Sequence, residues 1–340
     1  MSNTINVKAI SFRSFKKFLK KLLANYIFFV VILLFVGGYV TTFFLFSSNY
    51  IFNDFIPSNG YSRGCIKVVE EDTQLLYDMK KLYNNHKSKS ILPIYFINMP
   101  KQLANISSVE DRKQLFINII LPILLQNYDA TLKERESLLY INNKLLSRPL
   151  VDQDFLLIKR LAFKYKVPIR GEDFWDYTNA LDQLLIKVDV VPMSLALAVA
   201  AKETGWGTSR FLLEGNSLFS EWRWDNEGII PKQRSRYKKY SVKKFRTLAR
   251  SVASYYYNLN TNKAYVDFRL HRASQRNVEV ELGSTGKLEP NNLARQLFNY
   301  SNDPYYAEEL IQIMRKNHLY SYDSMPQIDN NYNKMCFHVL

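Results

Sequence analysis

One carboxylate stands out in the sequence because it ends a run of otherwise apolar residues. Glu203 belongs to the stretch LALAVAAKETGWGTSRF, residues 195–211. At helical spacing its side chain shares a face with four apolar residues, Leu195, Ala196, Val199 and Ala200. Burial disfavours the charged form of a carboxyl group and raises its pKa, so a Glu in this position can stay protonated near neutral pH and act as a general acid.

The same spacing also permits a structural role for Glu203. In that interpretation the carboxylate caps the end of the helix or pairs with Arg210, and it has no part in catalysis. The helix is predicted to start near Pro192 and to end at Gly205. Because Ser194–Lys202 is apolar on nearly every side, this helix must be buried.

The elements around this helix are predicted to be mainly helical. Apolar spacing indicates helices at Phe155–Tyr165, Phe174–Ile186, Phe245–Leu259, Ala264–Ser274, Asn292–Tyr300 and Pro304–Asn317. Ser107-x-x-Glu110 has the pattern of a capping box that opens an earlier helix, in which Pro122 should produce a kink. Residues 211–242 contain aromatic and β-branched clusters broken by Asn226-Glu227-Gly228, which predicts a short hairpin lobe.

The N-terminal segment predicts a membrane anchor. Residues 22–46 carry no charge and are long enough as a helix to cross about 30 Å of hydrocarbon. The flank 1–21 is basic and lacks acids, so the positive-inside rule places the N-terminus in the cytoplasm and the rest of the chain outside. A cleavable signal peptide is the alternative, but TTFFLFSSNYIF offers no small-residue cleavage site.

The rest of the chain is predicted to divide into a helical spacer over 47–175, a compact domain over 176–320 and a polar tail over 321–340. No Gly/Ser/Pro-rich linker separates the spacer from the domain, so we expect the two to pack together. Cys65 and Cys336 flank this part of the chain, and they either form a disulfide or remain two unpaired thiols. The pattern does not indicate an oligomeric state.

The net charge of +15 narrows the choice of partners. Basic side chains are dense over 232–246, and they include Lys232, Arg234, Arg236, Lys238, Lys239, Lys243, Lys244 and Arg246. An exported chain does not usually meet nucleic acid, so we expect attraction to anionic envelope polymers and lipid headgroups, with a merely solvated hairpin as the alternative. The four histidines are scattered and the cysteines are not closely paired, so we expect no metal and no cofactor.

Several blocks of the sequence resemble one known family. SLALAVAAKETGWGTSRFLLEGNSLFSEW, SVASYYYNLNTNKAY and NYSNDPYYAEELIQIM are similar to successive blocks of the bacterial Bax-type proteins, in the glucosaminidase group that resembles glycoside hydrolase family 73. The spacer stretch LPIYFINMPKQLANISSVEDRKQLFINIILPILLQN resembles the region that precedes the catalytic domain in those proteins. The resemblance covers residues 91–320. By analogy, a helical domain with a small β-hairpin lobe and a buried Glu at a helix end is the design of lysozyme-like sugar hydrolases. The anchor predicted above would hold this domain in the periplasm at the bacterial inner membrane.

The activity implied by this resemblance is hydrolysis of the β-1,4 bond after N-acetylglucosamine in peptidoglycan glycan strands. By its motif position, Glu203 would be the general acid and Tyr300, in the block Y-x-x-D-P-x-Y, would take part in activity. Four further matching positions would line the sugar cleft, with core packing as the alternative for each: Trp206, Asn216, Phe219 and Tyr255.

The resemblance fails at one point. Several family members carry a second acid in the β-lobe, where this chain has the basic run around Arg234–Lys239. The second catalytic group could be Glu221, Asp225 or Glu227, or the acetamido group of the substrate could assist instead. Two other functions therefore stay open: a lytic transglycosylase, and an inactive wall-binding or scaffold module.

Overall fold

The computed structural model describes residues 67–69, 91, 94–145, 147–235, 237–281 and 287–324. The predicted anchor at 22–46, its basic flank, both cysteines and the tail beyond Ser324 lie outside the described residues. The membrane span and the pairing of the cysteines therefore stay predictions from the sequence.

The described chain is mainly α-helical, which confirms the expected fold class. Its α-helices in chain order are α1 Val109–Leu145, α2 Asp152–Lys164, α3 Phe174–Lys187, α4 Met193–Thr204, α5 Arg210–Gly215, α6 Leu248–Thr261, α7 Val266–Glu281, α8 Pro290–Ala294 and α9 Tyr306–Lys316. Short 3-10 helices occupy Lys101–Asn105, Lys263–Tyr265 and Leu319–Ser324.

Two small sheets accompany the helices. Strand β1, Lys67–Val69, pairs in parallel with β2, Ile94–Phe96. Strand β3, Trp222–Arg223, pairs antiparallel with β4, Ser241–Val242, and an isolated bridge joins Ile229 to Val242. The second pair and its long connection form the β-lobe, which confirms the predicted hairpin.

Helix α4 has the boundaries that the sequence indicates. Pro192 precedes it, and Gly205 follows it in the left-handed conformation with φ of 56°. Residues 195–201 are at most 1% exposed, because α1, α9 and the last 3-10 helix pack around them. The prediction that this helix is buried is confirmed, although Lys202 and Glu203 at its end are partly exposed.

Some predicted boundaries are wrong. Ser108 rather than Ser107 caps α1, because the Ser108 hydroxyl accepts a hydrogen bond from the amide of Asp111 at 3.2 Å. Helix α1 continues through Pro122, which is buried in the core, and the kink expected there stays a prediction. The helix predicted over 292–300 ends at Ala294, and turns carry the chain on from there to Tyr300.

Two hydrophobic cores share helix α1. Its first half packs with α4, α6 and α9 in the larger core, where Phe116 and Ile119 are fully buried. Its second half packs with α2 and α3 in a smaller core that contains Leu138 and Ile141. The spacer therefore packs on the domain, as expected. By length and composition α1 could also cross a membrane, but its most apolar window is 72% buried in the protein, where it serves as a core helix.

A buried carboxylate connects α1 to α7. Asp189, which is 1% exposed, accepts hydrogen bonds from Arg276 at 2.9 and 3.0 Å. The Arg135 guanidinium from α1 lies 3.6 Å from the same carboxylate, and that of Arg272 lies 4.0 Å away. Burial raises the pKa of Asp189, but the guanidinium groups of Arg272, Arg276 and Arg135 outweigh it and hold the pKa below its ordinary value.

Candidate active site

Glu203 lies in the last turn of α4, and its carboxylate is half-buried. The Tyr306 hydroxyl, at the start of α9, donates a hydrogen bond to Glu203 Oε1 at 2.9 Å. The Ser220 side chain, just before β3, makes a second hydrogen bond to this carboxylate. Three segments that are distant in sequence therefore meet at one acid.

The pKa of Glu203 is raised above its ordinary value. Burial is the largest cause, and the hydrogen bonds from Tyr306 and Ser220, with the charge of Lys202, oppose part of the rise. The protonated form thus persists to a higher pH than in an exposed Glu. A general acid near neutral pH needs this property.

Arg210 is not the partner of Glu203. Its guanidinium binds Glu214 at 3.1 Å and donates to the carbonyl of Ile230 at 2.7 Å. The structural alternative, in which Glu203 pairs with Arg210 at the helix end, is therefore wrong. Both residues are described, and the carboxylate turns toward Tyr306 instead.

The segment that presents Ser220 is held from behind by aromatic rings. Ser220 has φ of 48°, a left-handed conformation that is uncommon for residues other than Gly. Phe219, one residue earlier, stacks on Tyr255 with 3.9 Å between ring centroids and 5° between planes. This buried stack fixes the backbone beside the strained residue.

Tyr300 contacts that same segment rather than the acid. Its hydroxyl donates to the carbonyl of Phe219 at 2.6 Å. Its ring stacks on that of Tyr306, with centroids 5.6 Å apart. Burial, together with the neighbouring Tyr306 and Tyr255, raises the pKa of Tyr300 well above its ordinary value, so the hydroxyl keeps its proton and acts as a donor.

An open cleft of about 1130 Å³ has Glu203, Ser220 and Tyr300 in its wall. Its aromatic lining comes from α5 and the β-lobe: Phe211, Trp222, Trp224 and Tyr240. Its polar lining comes from the chain before α9: Asn299, Ser301, Asn302 and Asp303. Aromatic faces combined with amide and hydroxyl groups suit a ligand with both apolar and polar faces, such as a sugar.

Two of the residues predicted to bind substrate lie away from this cleft. Trp206 packs edge-on against Phe116 of α1, with centroids 5.8 Å apart. The Asn216 side chain donates to Asn98 Oδ1 at 2.8 Å. Both follow helix ends in the left-handed conformation, with φ of 57° and 51°, and neither is among the residues that line the cleft.

The other two lie behind the cleft wall. Phe219 is 1% exposed and Tyr255 is fully buried, so neither ring reaches the cleft surface. Their contact with each other gives them the packing role that was the alternative for each position. Of the six predicted site residues, Glu203 and Tyr300 are the two that line the cleft.

The three candidate second acids are all engaged elsewhere. Glu221 is buried and accepts hydrogen bonds from Lys243 at 2.8 Å and Ser254 at 3.0 Å. Asp225 and Glu227 both bind Arg223 on the β-lobe. None of the three lines the cleft, where Asp303 is the carboxylate that accompanies Glu203. Within the described residues, no cluster of three His, Cys, Asp or Glu side chains could hold a metal.

Sequence reasoning missed Tyr306, although a signal was present. The block Y-x-x-D-P-x-Y contains both Tyr300 and Tyr306, and only its first tyrosine was assigned. Asp303 shapes the turn between them, because its carboxylate accepts from the Tyr305 amide at 3.0 Å. That turn starts α9 and brings the second tyrosine of the block to Glu203.

An acid of raised pKa in a cleft lined by aromatic and amide groups is suited to hydrolysis of a glycosidic bond, the chemistry of a glycoside hydrolase-type enzyme. Residues 178–319 match the glucosaminidase family model, described as mannosyl-glycoprotein endo-beta-N-acetylglucosaminidase. The chain is 30% identical over 213 residues to Protein bax of Escherichia coli (strain K12), across 62% of this chain and 70% of that protein. The chain therefore belongs to the Bax-type proteins of the glucosaminidase family. No solved structure matches it.

Proposed function

We propose that the protein is an endo-β-N-acetylglucosaminidase that cleaves the β-1,4 bond after N-acetylglucosamine in peptidoglycan. The observation that carries the proposal is Glu203, an acid of raised pKa that lines a sugar-sized cleft within the segment that matches the glucosaminidase family. The substrate class comes from the resemblance of the motif blocks to Bax-type proteins.

In the proposed reaction, Glu203 donates its proton to the glycosidic oxygen as the bond to the anomeric carbon breaks. Before transfer, the Tyr306 hydroxyl donates a hydrogen bond to Oε1 and thereby helps to orient the carboxyl group. After transfer, the hydroxyls of Tyr306 and Ser220 stabilise the carboxylate that remains. A water molecule then adds its hydroxyl to the anomeric carbon and gives its other proton to the Glu203 carboxylate, which restores the acid. The acetamido group of the substrate is our preferred assistant, because the β-lobe acids bind Lys243 and Arg223.

The positions of the other residues in and around the cleft suggest their roles. Trp222 and Trp224 are 50% and 83% exposed on the β-lobe, and we assign their rings to the faces of bound sugars. Tyr300 is a positioning residue, since its hydroxyl holds the backbone beside Ser220. Phe219 and Tyr255 support the cleft wall from behind, whereas Trp206 and Asn216 pack away from the cleft.

Mass spectrometry of fragments from purified peptidoglycan tests the activity. Fragments with a reducing N-acetylglucosamine end support the proposal. Anhydro-muramic ends would instead identify a lytic transglycosylase. Binding without cleavage by the folded chain would identify a wall-binding or scaffold module.

We further propose that residues 22–46 hold the enzyme in the bacterial inner membrane, with the domain at 176–320 in the periplasm. Protease added to spheroplasts should then degrade the chain beyond about residue 49 and spare the basic flank, as the charge asymmetry around the span requires. A protected C-terminus would overturn this orientation. A mature chain that begins after Phe46 would overturn the anchor.

A further inference from the structure

One wall of the cleft carries two lysines. Lys238 and Lys239 lie in the connection between β3 and β4, line the cleft and are exposed. Trp222 and Tyr240 belong to the same wall, with ring centroids 5.1 Å apart. A ligand that stacks on these rings would therefore pass beside two ammonium groups.

Two other basic residues of the same segment have hydrogen-bond or ion-pair partners within the protein. Arg234 donates to Asn226 Oδ1 at 2.7 Å and to the carbonyl of Tyr240 at 2.8 Å, which ties the β-lobe together. Lys243 pairs with the buried Glu221 at 2.8 Å. These cations have structural partners and are not available to a ligand.

Lys238 and Lys239 differ from them. Neither ammonium has a hydrogen-bond or ion-pair partner among the residues that the structure describes. The nearby acids of the β-lobe, Asp225 and Glu227, are both bound by Arg223.

Two carboxylates line the same cleft, but Tyr306 and Ser220 bind Glu203, and Lys202 lies 3.9 Å from Asp303. Two exposed cations without an ion-pair partner therefore favour a ligand that carries negative charge.

We propose that Lys238 and Lys239 bind the free carboxylates of peptidoglycan stem peptides, so that the enzyme selects peptide-substituted anionic glycan over uncharged glycan. The inference rests on the proposed function, because it names a feature of that substrate. Stem peptides project from the glycan strand and carry carboxylates, whereas polymers of N-acetylglucosamine alone carry none. The lysines thus select the glycan that binds in the cleft, and Glu203 protonates its glycosidic oxygen.

The test compares two substrates that share the same glycosidic bonds. One is native peptidoglycan, and the other is peptidoglycan whose free carboxylates have been converted to neutral amides. For the full-length parent, kcat/KM should fall about threefold to tenfold on the amidated material, the size expected for two solvent-exposed ion pairs. The loss should lie mainly in KM and should shrink at high salt, because exposed charges are screened.

The double variant Lys238→Gln/Lys239→Gln should show the matching result. Its kcat/KM on native peptidoglycan should fall to the parent's value on amidated material, and amidation should change it no further. The matched control is Lys263→Gln/Lys316→Gln, which removes the same charge from exposed positions outside the cleft lining. The control should keep the parent's preference for native peptidoglycan.

The outcomes separate this inference from the proposed function. If the parent cleaves both materials equally well, or the cleft variant keeps the preference, the lysines do not select carboxylates, although the glucosaminidase activity stands. If both double variants lose the preference equally, the selection comes from overall charge and the inference is wrong. If the parent cleaves neither material, the proposed function fails and this inference fails with it.

Discussion

The hydroxyl of Tyr306 donates to Glu203 Oε1 at 2.9 Å, although 103 positions separate the two residues in the chain. Lys202, beside Glu203, places its ammonium 5.2 Å from the centre of the Tyr306 ring and pairs with Glu309. Adjacent residues of α4 thus hold the first turn of α9 in place. The hydrogen bond from Tyr306 lowers the pKa of the proposed acid and offsets part of the rise that burial causes.

Glu203→Gln should abolish most of the activity without unfolding the protein. The amide keeps the shape of the side chain but has no acidic proton, so glycan cleavage should fall about 100-fold or more. Folding should survive, because a neutral amide is easier to bury than a charge when its hydrogen bonds are met. Initial rates and thermal melts measure the two effects.

The matched control for this change is Glu214→Gln, which alters an exposed carboxylate outside the cleft lining. It should leave the rate near that of the parent. A Glu203→Gln variant that melts like the parent and retains more than about a tenth of its rate would end the assignment of the general acid.

Tyr306→Phe should move the basic limb of the pH–rate profile to higher pH. The hydrogen bond from Tyr306 stabilises the charged form of Glu203 and lowers its pKa, against the larger effect of burial. Without the hydroxyl, the pKa of Glu203 rises further, so the protonated acid survives to higher pH. Measurement of kcat/KM against pH checks this. An unchanged or lowered limb would refute control of the acid by Tyr306.

Tyr300→Phe provides the contrasting variant. Its hydroxyl binds the carbonyl of Phe219, so its loss should lower the free energy of unfolding by about 1–2 kcal/mol and lower the rate through the loosened Ser220 segment. The basic limb should move less than in Tyr306→Phe, because the Tyr300 hydroxyl does not itself contact Glu203 and acts only through the Ser220 segment. Denaturant titrations and pH–rate profiles separate the effects. If the rate per folded molecule were unchanged, Tyr300 would be a purely structural residue.

The sequence predicted the local features of the site but not the tertiary contact between Tyr306 and Glu203. Helix α4 and its glycine cap were predictable, because an all-apolar run and a left-handed turn are local properties. The partner of Glu203 was not predictable from spacing, since tertiary contacts join Tyr306 to it across most of the domain. Motif position identified the right block of sequence but did not indicate which of its two tyrosines contacts the acid.

Cleft-lining residues were hard to predict for a related reason. Trp206 and Asn216 follow helix ends, where the left-handed backbone turns their side chains onto α1 and toward Asn98. The aromatic residues that do line the cleft, including Trp222 and Trp224, come from a lobe whose strands are two residues long. Such short strands carry almost no periodic signal, so the pattern could not indicate which face of the lobe meets the cleft.

Asp189→Asn should destabilise the fold by about 3–5 kcal/mol at neutral pH, because it leaves the fully buried Arg272 and its neighbours without a countercharge. The pKa of Asp189 is depressed in the folded state, so its contribution is present above the unfolded pKa of about 3.9 and is lost as pH falls through the folded value. The parent and the variant should therefore converge in stability at acidic pH.

Denaturant titrations at neutral and acidic pH measure this difference. Asp182→Asn is the control, since it changes an exposed carboxylate of α3 outside the Asp189 cluster and should cost little at either pH. A loss in Asp189→Asn below about 1 kcal/mol at neutral pH would show that this carboxylate does not hold the buried arginines in place.

Helix α1 packs in both hydrophobic cores, so a cut in the chain after this helix would remove part of each core. The family match begins at residue 178, so it excludes α1 completely. A fragment that starts there would leave the buried face of α4 uncovered where Phe116 and Ile119 now pack. Such a fragment would expose apolar surface of α4 to water, so it should be less stable than a chain that keeps α1.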